Sequence, residues 1–288
     1  MADNKYAAIV HNYNYPSDRF SQDYARPGQN QTIFDLIETA GKQGLVQGLE
    51  MNFDDSPPAA CVGINHNNWQ DVMDALGKYD IELIGIAPPL WSGVDYMKGT
   101  LGSAKAEVRE SSKSLIKSVL DLAEMTGCPF VNIWPGQDGF DYYFETDYQK
   151  LYTWWVEGIQ ELADYKPGIK LGLEPKPFEP RSYSFISTVA KSLLLIKDID
   201  RENVGVNIDV GHLLYAHESL GESVAMLHLA GDKLFHLHLN DNYAGSDEDM
   251  MFASVHLLAY IEMFYWLRKT HYSGWKSLDL FPYRTDPA

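Results

Sequence analysis

Cysteine is nearly missing from this chain: 288 residues carry two, Cys61 and Cys128, in neither a CxxC pair nor a regular framework. That excludes a disulfide-stapled secreted scaffold and points to a reducing cytoplasm. Long apolar runs are also missing, and nothing approaches the roughly 20 residues that cross a bilayer. The polar opening Met1-Ala-Asp-Asn-Lys5 lacks the basic and apolar regions of a secretory leader, so no leader is expected. Positive charge is scarce, with 23 Lys and Arg against 40 Asp and Glu, for a net charge of −17. A surface that acidic repels phosphate backbones and argues against nucleic-acid partners. No Pro/Gly/Ser-rich linker or low-complexity tract divides the chain, which predicts one domain over residues 1–288. There is also no Gly-rich phosphate cradle, so an uncharged small substrate is expected rather than a phosphorylated one.

What is present is alternation. Strand-length apolar runs lie at Tyr6–His11, Val46–Asn52, Ile81–Ala87, Phe130–Trp134, Ile169–Glu174, Val204–Asp209, Leu234–Asn240 and Lys276–Phe281. Helix-period segments separate them, clearest at Val108–Glu124, where Leu115, Val119 and Leu122 recur on one face and Gly127 follows as a stop. Tyr148–Leu162, Ile186–Ile196 and Val255–Arg268 are similar. Eight strand–helix repeats predict an α/β protein with a parallel sheet closed into a (β/α)8 TIM barrel. After the eighth run only Pro282–Ala288 remains, too short for an eighth helix. The apolar surface next to strands eight and one is then expected to be covered by a homo-oligomer partner, another subunit, or further sequence.

Four of these runs carry a metal-ligand residue type at or within two residues of their ends: Glu174, Asp209, His238 and Asp279, spaced 35, 29 and 41 residues apart. Side chains alternate along a strand, so parity tests whether each can face inward. Gly172 shares a face with Glu174, Asn207 with Asp209, His236 with His238, and Ser277 with Asp279 and Phe281. Any one strand-end Asp is usually a loop acceptor or a helix cap. Four ligand types on adjacent strands make coincidence a poor account, and three carboxylates with one imidazole suit a hard or borderline divalent cation. His212, three residues after Asp209, and Asp247 and Asp249, in the loop Gly245–Asp249 after strand seven, hold a second cation with Asp209 nearby, or else that loop is solvated and its Asp residues cap the next helix. Aromatics make up 13% of the chain; composition leaves open whether they fill the core or wall a sugar site. Trp91, Trp134, Phe140 and Tyr142 follow strands three and four, where they are placed either to wall one side of the site or to pack.

These segments carry a resemblance. Leu173-Glu-Pro-Lys-Pro-Phe-Glu-Pro180 resembles a hallmark of xylose isomerases, and Gly205-Val-Asn-Ile-Asp-Val-Gly-His212 is similar to that family's next strand. Lys233-Leu-Phe-His-Leu-His-Leu-Asn240 and Ser277-Leu-Asp-Leu-Phe-Pro-Tyr-Arg284 continue the match, which covers about residues 130–286. The wider superfamily includes ketose epimerases, rhamnose isomerases, inosose dehydratases and endonuclease IV. The resemblance implies one or two divalent metals, Mn²⁺ first and Co²⁺ or Mg²⁺ as alternatives. Glu174, Asp209, His238 and Asp279 would hold the first, and His212, Asp247 and Asp249 the second. It implies catalytic roles for Glu174, Lys176, His212 and Asp279, and substrate contacts from Trp91, Trp134, His236, Asn240 and Arg284. Lys176, flanked by Pro175 and Pro177, would stabilise a developing alkoxide. Two departures narrow the likeness. His238 stands where xylose isomerases usually carry Asp, and Asp209 replaces a longer Glu; both changes resemble rhamnose isomerases and epimerases. Glu50-Met-Asn-Phe-Asp-Asp55 also lacks the family's His-Asp ring-opening pair, leaving Asp54, Asp55 or His66 as substitutes and xylose in doubt as the substrate.

The expected activity is therefore a metal-dependent sugar isomerase or epimerase acting on a neutral sugar. The same barrel also supports elimination, either dehydration of a keto-polyol or cleavage of an oxidised glycoside. A metal-binding protein without turnover is the alternative outside enzymology.

Overall fold

The computed structural model describes residues 5–14, 31–58 and 60–281. Its strands are β1 (Tyr6–Ile9), β2 (Gly48–Asn52), β3 (Glu82–Ala87), β4 (Phe130–Ile133), β5 (Gly139–Phe140), β6 (Lys170–Leu173), β7 (Tyr183–Ser184), β8 (Val204–Asp209), β9 (Leu234–Leu239) and β10 (Lys276–Leu278). Eight of them close into a barrel in the order β1-β10-β9-β8-β6-β4-β3-β2, every pairing parallel. The expected eight strands are thus the barrel. The antiparallel pair β5–β7, which periodicity did not reveal, joins the loops after β4 and β6.

The helices are α1 (Ile33–Gln43), α2 (Trp69–Gly77), α3 (Ala106–Thr126), α4 (Tyr148–Tyr165), α5 (Val189–Ile199), α6 (Val210–Tyr215), α7 (Leu220–Leu229) and α8 (Leu257–Lys269). Local chemistry sets their ends. Asp147 caps α4 through the Gln149 and Lys150 amides, and Thr188 and Ser219 do the same for α5 and α7. Gly44 and Gly127 take the left-handed conformation that closes α1 and α3. Between barrel and helices lies an apolar layer in which Leu49, Val131, Leu171, Val206 and Leu237 meet Leu36, Ile37, Ile116, Val119, Trp155 and Ile159.

The opposite parity points into the barrel, and there the layer is polar. Glu50, Asn132, Asn207, His236 and Ser277 are all buried. Gly85 and Gly172 make room among them: a Cβ on Gly85 would sit 3.1 Å from the Glu50 side chain, and one on Gly172 would sit 2.5 Å from the Phe130 ring. β6 ends at Leu173, one residue before the expected Glu174, and β10 at Leu278, three before the expected Phe281. Pro175 follows Glu174 and has no N–H to extend the ladder.

No helix follows β10 among the described residues, and the segment 282–288, with Arg284, lies outside them. The outer face of α8 exposes Leu257, Leu258, Ile261 and Tyr265. No described helix is long and apolar enough to cross a membrane.

Candidate active site

At the carboxyl end of the barrel the register brings the strand-end residues into one ring. Asp209 is level with His238 across β8–β9, and Ser277 with His238 across β9–β10. Ligand-type atoms of Glu174, Asp209, His238 and Asp279 all lie within 4.8 Å of one another, and so do those of Asp209, His212 and Asp247. These residues except Asp209 line a cavity of about 490 Å³ that also takes in Trp91, Trp134, Lys176 and Asp249.

Each side chain has an assigned neighbour. His238 Nδ1 faces Asp279 Oδ2 at 3.2 Å, Glu174 Oε2 at 3.8 Å and Asp209 Oδ2 at 3.9 Å. Glu174 accepts from the Asn132 and Asn207 amides. Asp209 caps α6 by accepting from the His212 N–H at 3.0 Å, so the helix that starts there delivers His212 to the same cluster. Lys176 Nζ donates to Asp247 Oδ2 at 2.6 Å and lies 5.0 Å from the centre of the Trp134 ring, against which Trp91 is tilted at 5.6 Å.

Electrostatics follows from burial and like charge. Burial, together with Asp247, Asp279 and Glu174, raises the Asp209 carboxyl to about 7. Asp249 is pushed up strongly by burial and by Asp247, Asp279 and Asp209. Burial opposes ionisation of His212, but Asp209 and Asp247 outweigh it and lift the imidazole to about 9. Asp247 is likewise held low against burial by Lys176 and His212. The carboxylates of Glu174, Asp209, Asp247, Asp249 and Asp279 thus crowd around the Lys176 ammonium and the His212 and His238 imidazoles. Their oxygen-rich, anionic donor set fits a divalent cation, which would supply the positive charge the site lacks.

Several expected residues sit elsewhere. His236 does not line the cavity: it lies one layer deeper, bonded to Glu50 Oε1 at 2.8 Å and packed on Phe130. Its place two residues before His238 puts it on the same face but further down the barrel. Asn240 is fully buried and holds Asp209 Oδ2 at 2.9 Å, Asp249 Oδ1 at 3.1 Å and the Gly211 N–H at 2.6 Å; it braces ligand residues instead of facing the cavity. Neither Phe140 nor Tyr142 lines the cavity; Phe140 stacks on Tyr183 through the β5–β7 pair, and Tyr142 is exposed. Asp54 is tied to the Ser56 and Val62 amides, and His66 to Ser118, so neither they nor Asp55 reach the cavity.

The ring contains two residues that strand-end spacing passed over. His11, two residues past β1, contacts Asp279 Oδ1 at 2.9 Å and stacks on Phe281 at 4.4 Å, lining the cavity. Glu50 lies in the middle of β2, where a charge inside an otherwise buried strand was the available signal.

Xylose isomerase of Thermus thermophilus is 29% identical over 218 residues, and that of Thermus caldophilus 28%. The match covers 74% of this chain and 56% of those relatives, so the chain spans little more than half of their length. Among solved structures, D-psicose 3-epimerase from Clostridium cellulolyticum H10, determined with D-tagatose, superposes with a TM-score of 0.70 at 18% identity, covering 96% of this chain and 85% of that one. The E. coli 3-keto-D-glucoside 4-epimerase gives 0.66 at 16% identity, covering 97% and 92%. At such identities these structures speak for the fold alone. The profile of the xylose isomerase-like TIM barrel family matches residues 34–288, and the chain belongs to that family.

Proposed function

We propose that this protein is a divalent-metal-dependent sugar isomerase or epimerase that moves hydrogen between adjacent carbons, or between the two faces of one carbon, of a neutral, open-chain sugar. The observation that carries the reading is the convergence of Glu174, Asp209, His238 and Asp279, whose ligand atoms lie within 4.8 Å of one another. The xylose isomerase relatives and the epimerase neighbours support the reaction class. These four residues would hold one cation, and Asp209, His212, Asp247 and Asp249 a second, with Mn²⁺ the first choice and Co²⁺ or Mg²⁺ compatible with the same oxygen-rich set. When bound, such a cation supplies Lewis-acid polarisation of a sugar carbonyl and a template for vicinal oxygens.

The chain's own residues supply the rest. Glu174 takes the proton on the carbon next to the carbonyl, leaving an enediolate, and Asp279 returns a proton, to the neighbouring carbon in isomerisation or to the opposite face of the same carbon in epimerisation. His11, bonded to Asp279, orients that carboxylate. Lys176 faces the sugar oxygens and stabilises alkoxide charge. Trp91 and Trp134 form an apolar wall that keeps water off one face. A second copy of the chain covering the exposed face of α8 belongs to the same reading, and a monomer in sedimentation at micromolar concentration would remove that part.

The test is Mn²⁺ reconstitution in D2O with a panel of aldoses and ketoses, read by NMR. Deuterium next to the carbonyl is the expected result for proton transfer between carboxylates. Isomer free of deuterium would replace this step with a hydride shift. Loss of water or of an aglycone would move the protein to the lyases, and bound metal with every sugar unchanged would overturn the reading.

A further inference from the structure

One ionised group in the barrel has no part in the reaction just described. Glu50 is a buried carboxylate in the middle of β2, and its two oxygens are divided between two histidines of β9. Oε1 contacts His236 Nε2 at 2.8 Å, and Oε2 contacts His238 Nε2 at 3.2 Å. The rings of the two histidines stand nearly perpendicular, at 88°. The His238 ring is therefore held between two kinds of carboxylate. Its Nε2 edge meets Glu50, and its Nδ1 edge meets Glu174, Asp209 and Asp279.

The barrel is built to accept this arrangement. Gly85 faces Glu50 across the β2–β3 pairing, where a Cβ would crowd both Cγ and Oε2 of the glutamate at 3.1 Å. His236 is itself fixed by stacking on Phe130 at 4.9 Å, and Phe130 fits because Gly172 has no side chain. A buried carboxylate with two imidazoles is an expensive way to fill a barrel, since apolar residues of similar volume usually pack at no loss of stability. Its geometry does something apolar packing cannot: it decides which nitrogen of His238 faces the carboxylate ring.

We propose that Glu50 is a positioning residue for the metal centre, clamping His238 through Nε2, with His236 as its anchor, so that His238 presents Nδ1 as the ligand atom. This rests on the proposed metal site at Glu174, Asp209, His238 and Asp279. A carboxylate behind a ligand histidine sets ring orientation and ligand basicity, and removing such partners typically weakens metal binding about 10–100-fold. Glu50 borders the cavity beside His238, and its proposed action on the centre runs through that ring.

The experiment titrates the metal-free full-length protein with Mn²⁺ alone, following free Mn²⁺ by EPR and recording the ¹⁴N coupling of the bound ion. Wild type is expected to bind Mn²⁺ with directly coordinated imidazole nitrogen, and His238→Ala, made in a His212→Ala background that removes the other imidazole of the site, to lose that coupling. Glu50→Gln keeps the shape but replaces one acceptor oxygen with an amide, so it cannot accept from both imidazoles. It is expected to bind Mn²⁺ about 10–100-fold more weakly, with a diminished or altered nitrogen coupling. A fold defect alone would lower the bound fraction and leave the coupling of what remains unchanged. Should Glu50→Gln fail to fold, His236→Phe tests the same clamp from its anchor, and at least about a tenfold loss of affinity is expected. Full Mn²⁺ affinity with unchanged coupling in either variant would overturn the role of Glu50. A wild-type protein that binds no Mn²⁺ would instead overturn the metal site itself, and the clamp with it.

Discussion

At the scale of single residues, the site works by confining like charges. Glu174 has its Oε2 bonded to both the Asn132 and Asn207 amides, which aim the carboxylate and leave its remaining edge for chemistry. Glu174→Gln keeps the volume and can keep the Asn132 contact, but it cannot accept a proton from carbon. Its kcat is expected to fall about 10²–10⁴-fold with the fold unchanged by circular dichroism. A loss below threefold would assign proton abstraction to another group. The residue scale also explains why the ring reads only partly from sequence. Glu174, Asp209, His238 and Asp279 stand at strand ends, where spacing finds them. His11 stands two residues past its strand and Glu50 in the middle of one, so only the closing of the barrel sets them beside Asp279 and His238.

At the scale of elements, two loops and a helix start decide how well the ring is held. The first turn of α6 is fastened by Asn240, whose Oδ1 accepts from the Gly211 N–H and whose amide holds Asp209. A Cβ on Gly211 would fall 2.4 Å from Asn240 Oδ1, too close to coexist. Gly211→Ala is therefore expected to displace Asn240, loosen Asp209 and weaken Mn²⁺ binding about 10–100-fold, measured by titration calorimetry. Away from the metal-type residues, Asp138 ties the loop after β4 to the loop before α3. Its buried carboxylate accepts from the Thr100 amide and hydroxyl and from the Gly102 amide at 2.8 Å. Burial raises this acid to about 6 despite those bonds. Between the unfolded value near 4 and about 6 the folded state holds the extra proton, so this group favours folding below that window and its contribution falls as pH rises through it. Asp138→Asn removes the titration. Thermal or urea unfolding of the two proteins should show the wild type losing ground to the variant from pH 5 to pH 7, by about 1.3 kcal/mol. A difference that stays flat with pH would mean that the carboxyl is ionised throughout.

At the scale of the whole molecule, barrel closure and electrostatic cost are coupled. The outer layer is apolar and supplies the burial, while the upper interior collects three carboxylates and an imidazole from four adjacent strands, with further carboxylates from the loop after β9. Without a cation that interior carries unbalanced negative charge, which raises Asp209 and Asp249 and opposes closure of the β6–β8–β9–β10 side. Mn²⁺ at 100 times its Kd should stabilise the fold by about 2.7 kcal/mol, seen as a rise of several degrees in Tm that EDTA reverses. An unchanged Tm with and without EDTA would show that the ring holds no metal of consequence. On the outside, α8 leaves Leu258 81% and Tyr265 59% exposed, an apolar stripe beside strands with no following helix among the described residues.

Some of this was already determined along the chain. Period-two and period-3.6 apolar patterns specify eight strands and the helices between them, because burying those faces is what makes each element stable. The barrel is the closure such a series reaches. Strand parity then aims Glu174, Asp209, His238 and Asp279 inward, since alternation is local geometry. Local geometry did not decide the depth at which each side chain stops. His236 shares the face of His238 yet lies a layer lower on Glu50, and Asn240 turns to brace Asp209 and Asp249. Nor could it pair residues from opposite ends of the chain, as it is barrel closure that brings His11 to Asp279. Those contacts join residues 186, 188 and 268 positions apart, and sequence separation carries no information about them until the first and last strands meet.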